Sequence, residues 1–357
     1  MKQQPAGTAT TITTTTTTKE PGSGTGLATA ADGCAGAART EQVANADEEQ
    51  YLRIVADILA TGDRRRERTG TGTRAVFAPA PMRFSLGDAT LPLFTSKRVP
   101  VRAVFEELMW FVRGCTDSEL LAAKGVRIWD ANGSREALDR AGLVNNRVGD
   151  LGPVYGFQWR HFGAKYAGPD ADYTGQGVDQ LKDVIRKIKH NPTDRRILIS
   201  AWNPADLDKV ALPPCHLLCQ FYVSTPEGEG AVPSLSCQLY QRSADMGLGV
   251  PFNVASYALF THLLAHVTGI ETGNLSIVLG DAHVYMDHMD ALKTQLERVP
   301  RSFPKLRFVG ASANVSRAER AMWSVEKAVE VLEGFSFDDV KVEGYDPHGK
   351  IVMQMSV

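Results

Sequence analysis

The sequence predicts an α+β fold with a mixed β-sheet, flanking helices and one buried central helix. Helical and strand-like segments are interleaved along the chain without a regular βαβ alternation, which favours α+β over a doubly wound parallel sheet. Residues 252–267 are apolar on nearly every face, follow Pro251 and end before Gly269, so they predict the buried helix. The central strands are predicted from aliphatic and aromatic segments at 196–202, 217–224 and 234–241.

The other elements follow from hydrophobic spacing and from turn residues. Residues 48–60 place apolar side chains at helical intervals and stop at Gly62, which predicts an amphipathic first helix. Residues 64–73 combine arginines, threonines and glycines and predict a basic loop. The remaining predicted helices are 101–112, 177–190, 286–298 and 316–332, and the remaining predicted strands are 74–78, 81–85, 275–280 and 340–342.

Composition limits the classes of function that the chain can have. Of its 357 residues, 43% are apolar and 22% are charged, as in an ordinary soluble globular protein. The formal net charge of -2 argues against bulk nucleic-acid binding. No apolar run approaches the roughly 20 residues of a membrane span, and the N-terminus lacks the apolar core of a signal peptide. We therefore expect a cytoplasmic protein, with the nucleus or the mitochondrion as alternatives.

The five cysteines are widely spaced and include no CxxC pair. This pattern argues against a disulfide scaffold and a zinc site, and it suits a reducing compartment. Partial metal ligation by His216 and Cys219 is left as an alternative, although no second cluster of ligands follows at usable spacing.

Residues 1–46 differ from the rest of the chain. They are rich in threonine, alanine and glycine and include six consecutive threonines at 13–18. A segment with so few large apolar side chains cannot bury enough surface to offset its ordering entropy, so we expect a disordered, low-complexity extension. A transit peptide is the alternative. One catalytic domain is expected over 47–357.

Cys215 is the first candidate for chemistry. It follows two prolines and precedes an apolar strand, while Arg242, Ser243 and Asp245 stand at the end of the next strand. A thiol has a pKa of about 8.5 and reacts well only as the thiolate. A nearby guanidinium lowers that pKa and also binds phosphate. One compact arrangement would then bind an anionic substrate and activate the nucleophile; the alternative is that Cys215 is a small buried hydrophobe.

Further arginines stand where an anion could bind. Arg68 lies in the glycine-bearing loop, where backbone N–H groups can also face an anion. Arg195 and Arg196 open a predicted strand, and Arg98 precedes a predicted helix. The alternative for each is a solvated surface group, and spacing alone does not decide whether the fold brings them together.

Polar residues also occur in segments that are otherwise destined for the interior. Glu106 and Glu107 lie in the apolar helix 101–112, where burial raises a carboxyl pKa towards the range of a general acid or base. The alternative is that one of the two faces solvent. Asn253 is the first polar residue of the apolar helix, and its amide offers a donor and an acceptor to a base edge such as that of uracil. Its alternative role is a helix N-cap.

Asp281, His283 and Tyr285 alternate along a strand-like stretch, so their side chains share one face. Three polar groups on one face suit a sugar hydroxyl. A satisfied internal network is the alternative.

Together these pieces resemble the thymidylate synthases over some 310 residues, from about Asp47 to Val357. The sequence is closer to the animal and viral type than to the common bacterial one. The matching stretches are RTGTGT (68–73), ELMWF (107–111), IWDANG (128–133), GDLGPVYG (149–156), PPCH (213–216), CQLYQRS (237–243), PFN (251–253), GDAHVY (280–285) and EGYDPH (343–348).

The resemblance implies a thymidylate synthase fold that forms a sheet-to-sheet homodimer. It implies reductive methylation of dUMP to dTMP with the cosubstrate 5,10-methylenetetrahydrofolate, which becomes dihydrofolate, and it implies no metal. Cys215 would attack C6 of the uracil ring. The implied catalytic residues are Cys215, Glu107, Tyr155 and Asp245.

The resemblance also implies the binding residues. The dUMP contacts would be Arg68, Arg195, Arg196, Gln241, Arg242, Ser243, Asp245, Asn253, His283 and Tyr285, with Arg195 and Arg196 reaching the phosphate from the second subunit. The folate contacts would be Lys97, Ile128, Trp129, Asn132, Asp245, Gly249, Phe252 and Val357. The C-terminus would close over the site as a lid that excludes water.

Two related functions compete with this interpretation. A pyrimidine hydroxymethylase of the same family would hydrate the one-carbon unit, and a cytosine-directed member would carry Asp where this chain has Asn253. A non-catalytic nucleotide- or RNA-binding relative would not need Cys215 and Glu107. The N-terminal extension is too short for a fused dihydrofolate reductase, so we expect a monofunctional enzyme.

The chain departs from the family pattern at three places. His348-Gly349 replaces a His-Pro pair, residues 226–233 lengthen a hairpin, and residues 310–330 carry an insertion with helical character. We expect these departures to alter the surface or the lid and to leave the reaction type unchanged.

Overall fold

The computed structural model describes residues 45–67, 70–228 and 230–355. They belong to one compact unit, Gln42–Val357. The helices are α1 (Ala46–Thr61), α2 (Val101–Val112), α3 (Glu119–Ala122), α4 (Arg135–Arg140), α5 (Tyr155–His161), α6 (Gln180–His190), α7 (Gly249–Thr268), α8 (Met289–Leu296), α9 (Arg317–Ala321) and α10 (Val325–Gly334). The strands are β1 (Asp63–Arg65), β2 (Thr73–Phe77), β3 (Met82–Ser85), β4 (Leu198–Ser200), β5 (His216–Ser224), β6 (Ser234–Asp245), β7 (Glu271–Tyr285), β8 (Lys305–Phe308) and β9 (Val340–Glu343).

Seven strands form the main sheet, in the order β1-β2-β7-β6-β5-β4, with β3 also paired to β7. The pair β6–β7 is parallel and the other pairs are antiparallel, so the predicted α+β content and mixed sheet are confirmed. Strands β8 and β9 form a separate antiparallel pair. Across the described residues, no helix combines the length and the apolar character that crossing a membrane requires.

Helix α7 packs against β6 and β7 and buries every residue except Gly249 and Phe252. It ends at Gly269, which adopts a left-handed conformation with φ 73° that favours glycine. The helix begins three residues before the predicted start, because the carboxylate of Asp245 accepts hydrogen bonds from the amides of Leu248 and Gly249. The first turn of α7 is therefore fixed by a residue at the end of β6.

Several predicted boundaries differ from the observed ones for local reasons. Helix α6 begins at Gln180 because the Asp179 side chain caps it. The helical segment 316–332 is divided into α9 and α10, since Ser324 caps a new helix. The predicted basic loop 64–73 contains most of β1, and the predicted strand 196–202 is reduced to β4.

The largest difference concerns β7, which was predicted only over 275–280 and extends over fifteen residues. Its residues 281–285, in which polar and buried apolar side chains alternate, pair with β2 and lie beside the end of β6. Helices α3, α4 and α5 and strand β8 were not predicted, because each is short and lacks a clear apolar period. The predicted disorder of residues 1–46 falls almost wholly outside the described residues.

Candidate active site

A cavity of about 920 Å³ opens at the N-terminus of α7, between α2, the turn 245–249 and the C-terminal segment 347–355. A volume of this size accommodates a drug-sized ligand. Ten of the predicted site residues line it: Lys97, Glu107, Ile128, Trp129, Asn132, Tyr155, Asp245, Gly249, Phe252 and Asn253. This cavity therefore coincides with residues that the sequence singled out.

The sheet brings further predicted residues to the same edge. Strands β6 and β7 run in parallel, with Ser243 opposite Asp281 and Asp245 opposite His283. At the start of β5, the backbone carbonyl of Cys215 accepts a hydrogen bond of 2.9 Å from the amide of Arg242. Residues far apart in sequence thus meet because three neighbouring strands start or end here.

Cys215 is half-buried and lies against the guanidinium of Arg242, whose Nη2 is 3.9 Å from the thiol Sγ. The carbonyls of Pro213 and Pro214 accept hydrogen bonds of 2.8 and 2.7 Å from this guanidinium. The ring of Trp202 lies 5.5 Å from its central carbon, at cation–π distance. A cation held this firmly stabilises a thiolate, which favours a reactive thiol over a simple buried hydrophobe.

The hydroxyl of Tyr155 accepts a hydrogen bond of 2.7 Å from the backbone amide of Cys215. Burial raises the pKa of Tyr155 well above its usual value, and the negative charge of Cys215 adds to this effect. The phenol therefore stays protonated and can donate its own proton towards the cavity.

His216 stacks on Tyr155 with ring centroids 4.1 Å apart, and its Nδ1 lies 2.9 Å from the hydroxyl of Tyr257. Burial lowers the pKa of His216 to about 3, so the imidazole is neutral. Among residues 45–67, 70–228 and 230–355, no group of three His, Cys, Asp or Glu side chains could hold a metal ion. His216 packs between Tyr155 and Tyr257 in the wall behind the thiol.

Glu107 is buried, and its carboxylate accepts a hydrogen bond of 2.8 Å from the indole Nε1 of Trp129. Burial raises the pKa of Glu107 to about 7, from 4.5, and the Trp129 hydrogen bond lowers it by less. Both protonation states are accessible near neutral pH, as a group that transfers protons requires.

The alternative that one of the two adjacent glutamates faces solvent is wrong. Glu106 is as buried as Glu107, because Lys124 pairs with it at 2.6 Å. The two carboxylates therefore differ in partner and not in exposure. An ammonium compensates the charge of Glu106, whereas the partner of Glu107 among the described residues is the neutral indole N–H of Trp129.

Asn253 lies within α7 and not at its cap, since the helix begins at Gly249. Its Oδ1 accepts a hydrogen bond of 3.0 Å from Nε2 of Gln241, which also donates to the carbonyl of Ser243. This leaves the Asn253 amide nitrogen to act as a donor in the cavity. The side-chain oxygen Oε1 of Gln241 is buried without a hydrogen-bond partner among the described residues.

Asp245 accepts hydrogen bonds from the amides of Gly247, Leu248 and Gly249 at 2.8 to 3.2 Å. Lys97, which is buried below it, donates to the carbonyl of Gly247. Burial lowers the pKa of Lys97 to about 8, and the nearby Asp245 opposes that shift. The turn 245–249 is thus held rigidly at one end of the cavity.

His283 and Tyr285 pack edge to face with centroids 5.4 Å apart, and His283 Nδ1 lies 3.1 Å from the carboxylate of Asp281. The pKa of Asp281 is lowered, chiefly by this hydrogen bond and then by the charges of His283 and Arg65, while burial opposes the shift. The three alternating residues therefore form a connected polar group beside the end of β6 and do not line the main cavity.

Two predicted phosphate ligands lie elsewhere on this chain. Arg195 and Arg196 are exposed; Arg196 pairs with Asp194 at 3.0 Å, and Arg195 lines a second cavity of about 680 Å³ on the outer face of the sheet. Arg68 and Val357 lie outside the described residues. Of the predicted phosphate-binding arginines that the structure describes, Arg242 is the one that lies beside the Cys215 thiol of the same chain.

The sequence analysis missed most of the C-terminal segment that covers the cavity. Residues 347–353 and Met355 line it, and the amide of His348 donates to the carbonyl of Thr95 at 2.7 Å. It also missed the hydroxyl of Tyr51, which supports the turn through the carbonyl of Met246 at 2.6 Å. The C-terminal segment has no periodicity, and Tyr51 fits the apolar spacing of α1, so the roles of both depend on contacts with backbone atoms that a sequence pattern does not reveal.

The thymidylate synthase family model matches residues 49–357. The thymidylate synthase of Agaricus bisporus is 57% identical over 87% of this chain and 99% of its own length. That of Saccharomyces cerevisiae is 56% identical over 88% of this chain and 98% of its own length. The human thymidylate synthase is 53% identical over 87% of this chain and 91% of its own length.

Proposed function

This chain belongs to the thymidylate synthase family of methyltransferases, and from that premise we propose that it converts dUMP to dTMP by reductive methylation. The proposed cosubstrate is 5,10-methylenetetrahydrofolate, which leaves as dihydrofolate. One observation carries the proposal: the Cys215 thiol lies 3.9 Å from a fixed guanidinium. The hydroxyl of Tyr155 accepts a hydrogen bond from the backbone amide of Cys215, and Tyr155 lines the cavity together with Glu107.

Cys215 is the proposed nucleophile. Its thiolate forms a bond to C6 of uracil and moves an electron pair onto C5, which then accepts the one-carbon unit. Arg242 stabilises the thiolate before the attack, and the bond to C6 breaks when the product is released. Once it is attached to C5, the methylene carbon breaks its bond to the folate nitrogen, and C5 loses its proton to a base in the site. A hydride from the tetrahydrofolate reduces the methylene to a methyl group, and the folate leaves as dihydrofolate.

Glu107 is the proposed group that transfers protons within the site, because its pKa of about 7 lets it both accept and donate near neutral pH. The hydroxyl of Tyr155 lies at the backbone of the nucleophile and keeps its proton, so it is a second donor. Asp245 holds the turn that forms the folate end of the cavity, which is why we include it among the catalytic residues.

The folate is proposed to lie in the apolar part of the cavity. Trp129, Ile128 and Phe252 offer flat or apolar surface to its rings, and Asn132 and Asp245 offer polar atoms. Lys97 is nearly fully buried and donates a hydrogen bond to the carbonyl of Gly247. We therefore propose that it supports the turn 245–249 more than it binds the anionic glutamate tail of the folate. Gly249 begins α7 at the cavity wall.

The dUMP phosphate is proposed to bind Arg242 and Ser243, with Arg68 from the loop before β2. Two nitrogens of Arg242 already donate to proline carbonyls, and its third remains to reach an anion. His283 and Tyr285 are proposed to bind the ribose hydroxyl, because they stand beside the end of β6.

A homodimer is proposed to complete the phosphate site with Arg195 and Arg196 of a second copy. The outer face of the sheet exposes Leu198, Tyr222 and Tyr240 among polar side chains such as Gln220 and Gln238, and a mixed face of this kind suits an interface between two identical sheets. We expect sedimentation to give twice the mass of one chain. Equal activity of a monomeric species would contradict the shared site.

Asn253→Asp should change the preferred base from uracil to cytosine. Asn253 offers an amide donor once Gln241 occupies its oxygen, whereas aspartate offers only acceptors, which suit the exocyclic amine of cytosine. The ratio of kcat/KM for dUMP over dCMP should fall by about 10²-fold or more. Asn132→Asp, which adds the same charge elsewhere in the cavity, is the matched control and should leave the ratio unchanged. An unchanged ratio for Asn253→Asp would remove its assigned role.

Product analysis tests the proposed reaction itself. Purified protein, dUMP and methylenetetrahydrofolate should yield dTMP by mass spectrometry. If 5-hydroxymethyl-dUMP were the main product, the chain would be a hydroxymethylase; if neither product formed while dUMP still bound, it would be a non-catalytic relative. A cytoplasmic location and a domain boundary near residue 46 stay predictions from the sequence.

A further inference from the structure

His288 connects two parts of the cavity wall that no element of secondary structure joins. It ends the short helical turn Met286–His288 after β7 and is 1% exposed. Its Nε2 lies 2.6 Å from the backbone carbonyl oxygen of Gln354, in the C-terminal segment. A carbonyl oxygen only accepts, so Nε2 carries the proton of this hydrogen bond. On its other side, Nδ1 lies 3.8 Å from the carboxylate of Asp245.

The turn that His288 faces is already rigid. The carboxylate of Asp245 binds the amides that follow it, Tyr51 donates to Met246, and Lys97 donates to Gly247. The approach of the imidazole is close: a Cβ on Gly247 would come within 2.6 Å of its Nδ1 and 3.1 Å of Met353 Sδ. The absence of a side chain at Gly247 therefore lets the imidazole and the C-terminal segment approach the turn together.

The C-terminal segment has few other fixed points near its end. His348 and Gly349 are tied to the body by hydrogen bonds to Thr95 and from Arg298. Within residues 350–355, the hydrogen bonds of the described chain are two: His288 to Gln354, and Lys97 to Met353 Sδ at 3.9 Å. Sulfur is a weak acceptor, so the His288 bond is the stronger one. Val352 is 74% exposed, so little apolar burial holds that side chain in place.

We infer that His288 is a positioning residue that couples the Asp245–Gly249 turn to the C-terminal segment and so holds that segment over the folate end of the cavity. This inference rests on the proposed function, because the ligand that contacts the turn is the proposed folate. At the nucleotide end, Cys215 and Arg242 are held by Tyr155 and by the proline carbonyls and not by this bond. Tyr285 packs on the imidazole with ring centroids 5.5 Å apart, but it also packs on His283, which keeps it in place. Loss of His288 should therefore weaken folate use and lid closure while leaving dUMP binding unchanged.

His288→Leu removes the donor and keeps an apolar side chain of similar size. We expect kcat/KM for methylenetetrahydrofolate to fall about tenfold, as loss of one neutral hydrogen bond allows, while the Kd of dUMP stays within about twofold. His288→Gln places an amide donor near the position of Nε2 and should restore most of the loss. Gly247→Ala should reproduce the defect from the opposite side, because its Cβ would displace the imidazole.

Hydrogen–deuterium exchange of residues 350–357 reads the coupling directly. In the wild type, dUMP with tetrahydrofolate, which lacks the one-carbon unit and cannot turn over, should slow exchange of this segment. The slowing should be lost in His288→Leu and Gly247→Ala and recovered in His288→Gln. Exchange of this segment without ligand should also be faster in His288→Leu. This measurement tests the His288–Gln354 hydrogen bond even if the wild type made no dTMP.

His262 provides the matched control. It is also buried, and its Nε2 lies 2.8 Å from the carbonyl of Thr90, but it does not line the cavity. His262→Leu should lower the melting temperature without changing exchange of the C-terminal segment or the KM for folate. The inference is overturned if His288→Leu leaves folate use and segment exchange at wild-type values, or if His262→Leu alters both to the same degree.

Discussion

Replacing Cys215 with alanine should abolish dTMP formation, with a loss of at least ~10⁴-fold, because no other group near the cavity can form the bond to C6. The guanidinium of Arg242 keeps its hydrogen bonds to Pro213 and Pro214, which involve carbonyls and not the thiol. The phosphate site should therefore survive, and binding of dUMP should remain measurable by calorimetry.

Cys115→Ala is the control for this experiment. Cys115 is also a half-buried thiol, but burial raises its pKa, and its Sγ lies 4.0 Å from the backbone carbonyl of Arg113 and not beside the guanidinium of Arg242. Its replacement should leave turnover near the wild-type rate. Turnover retained in Cys215→Ala would end the covalent mechanism, whereas equal loss in both variants would point to a general effect on folding.

Glu107→Gln should lower kcat by about 10²- to 10⁴-fold, the usual contribution of a positioned proton-transfer group. The amide oxygen can still accept the hydrogen bond from Trp129, so the geometry of the wall is kept while the titrating group is lost. Glu106→Gln is the matched control on the same helix. It lies equally deep but pairs with Lys124, and it should change kcat little.

Glu107→Gln should also be more stable than the wild type at alkaline pH. The pKa of Glu107 is about 7 in the folded chain and 4.5 in its ordinary state, so the native state binds the proton more tightly than the unfolded state. That contribution is fully present below pH 4.5 and is lost as pH rises through 7. The stability gain of Glu107→Gln in urea denaturation should grow to about 3 kcal/mol at pH 9. A gain that did not vary with pH would show that Glu107 is not the buried acid assigned here.

Local patterns predicted the elements whose surroundings are uniform. Helix α7 is buried all round and bounded by a proline and a glycine, so its position could be read from the sequence. Strand β7 could not be read in full. Gly280 interrupts its apolar run, and polar side chains then alternate with the buried Ala282 and Val284, because only one face of the strand end borders the site.

The candidate site depended on contacts between distant segments. The meeting of Cys215 and Arg242 follows from the antiparallel pairing of β5 with β6, which sets His216 opposite Gln241. The burial of Glu106 follows from Lys124, eighteen residues away, and could not be inferred from helix spacing. His288 showed no signal, because its partner is a backbone carbonyl 66 residues further along the chain.

The most direct test of the proposed reaction measures two products in one reaction. After purified protein is mixed with dUMP and methylenetetrahydrofolate, the rise in dihydrofolate absorbance is followed, and dTMP is quantified in the same sample. Reductive methylation predicts equal amounts of dihydrofolate and dTMP for the wild type and neither for Cys215→Ala. Pyrimidine product without dihydrofolate, or dihydrofolate formed equally by Cys215→Ala, would contradict it.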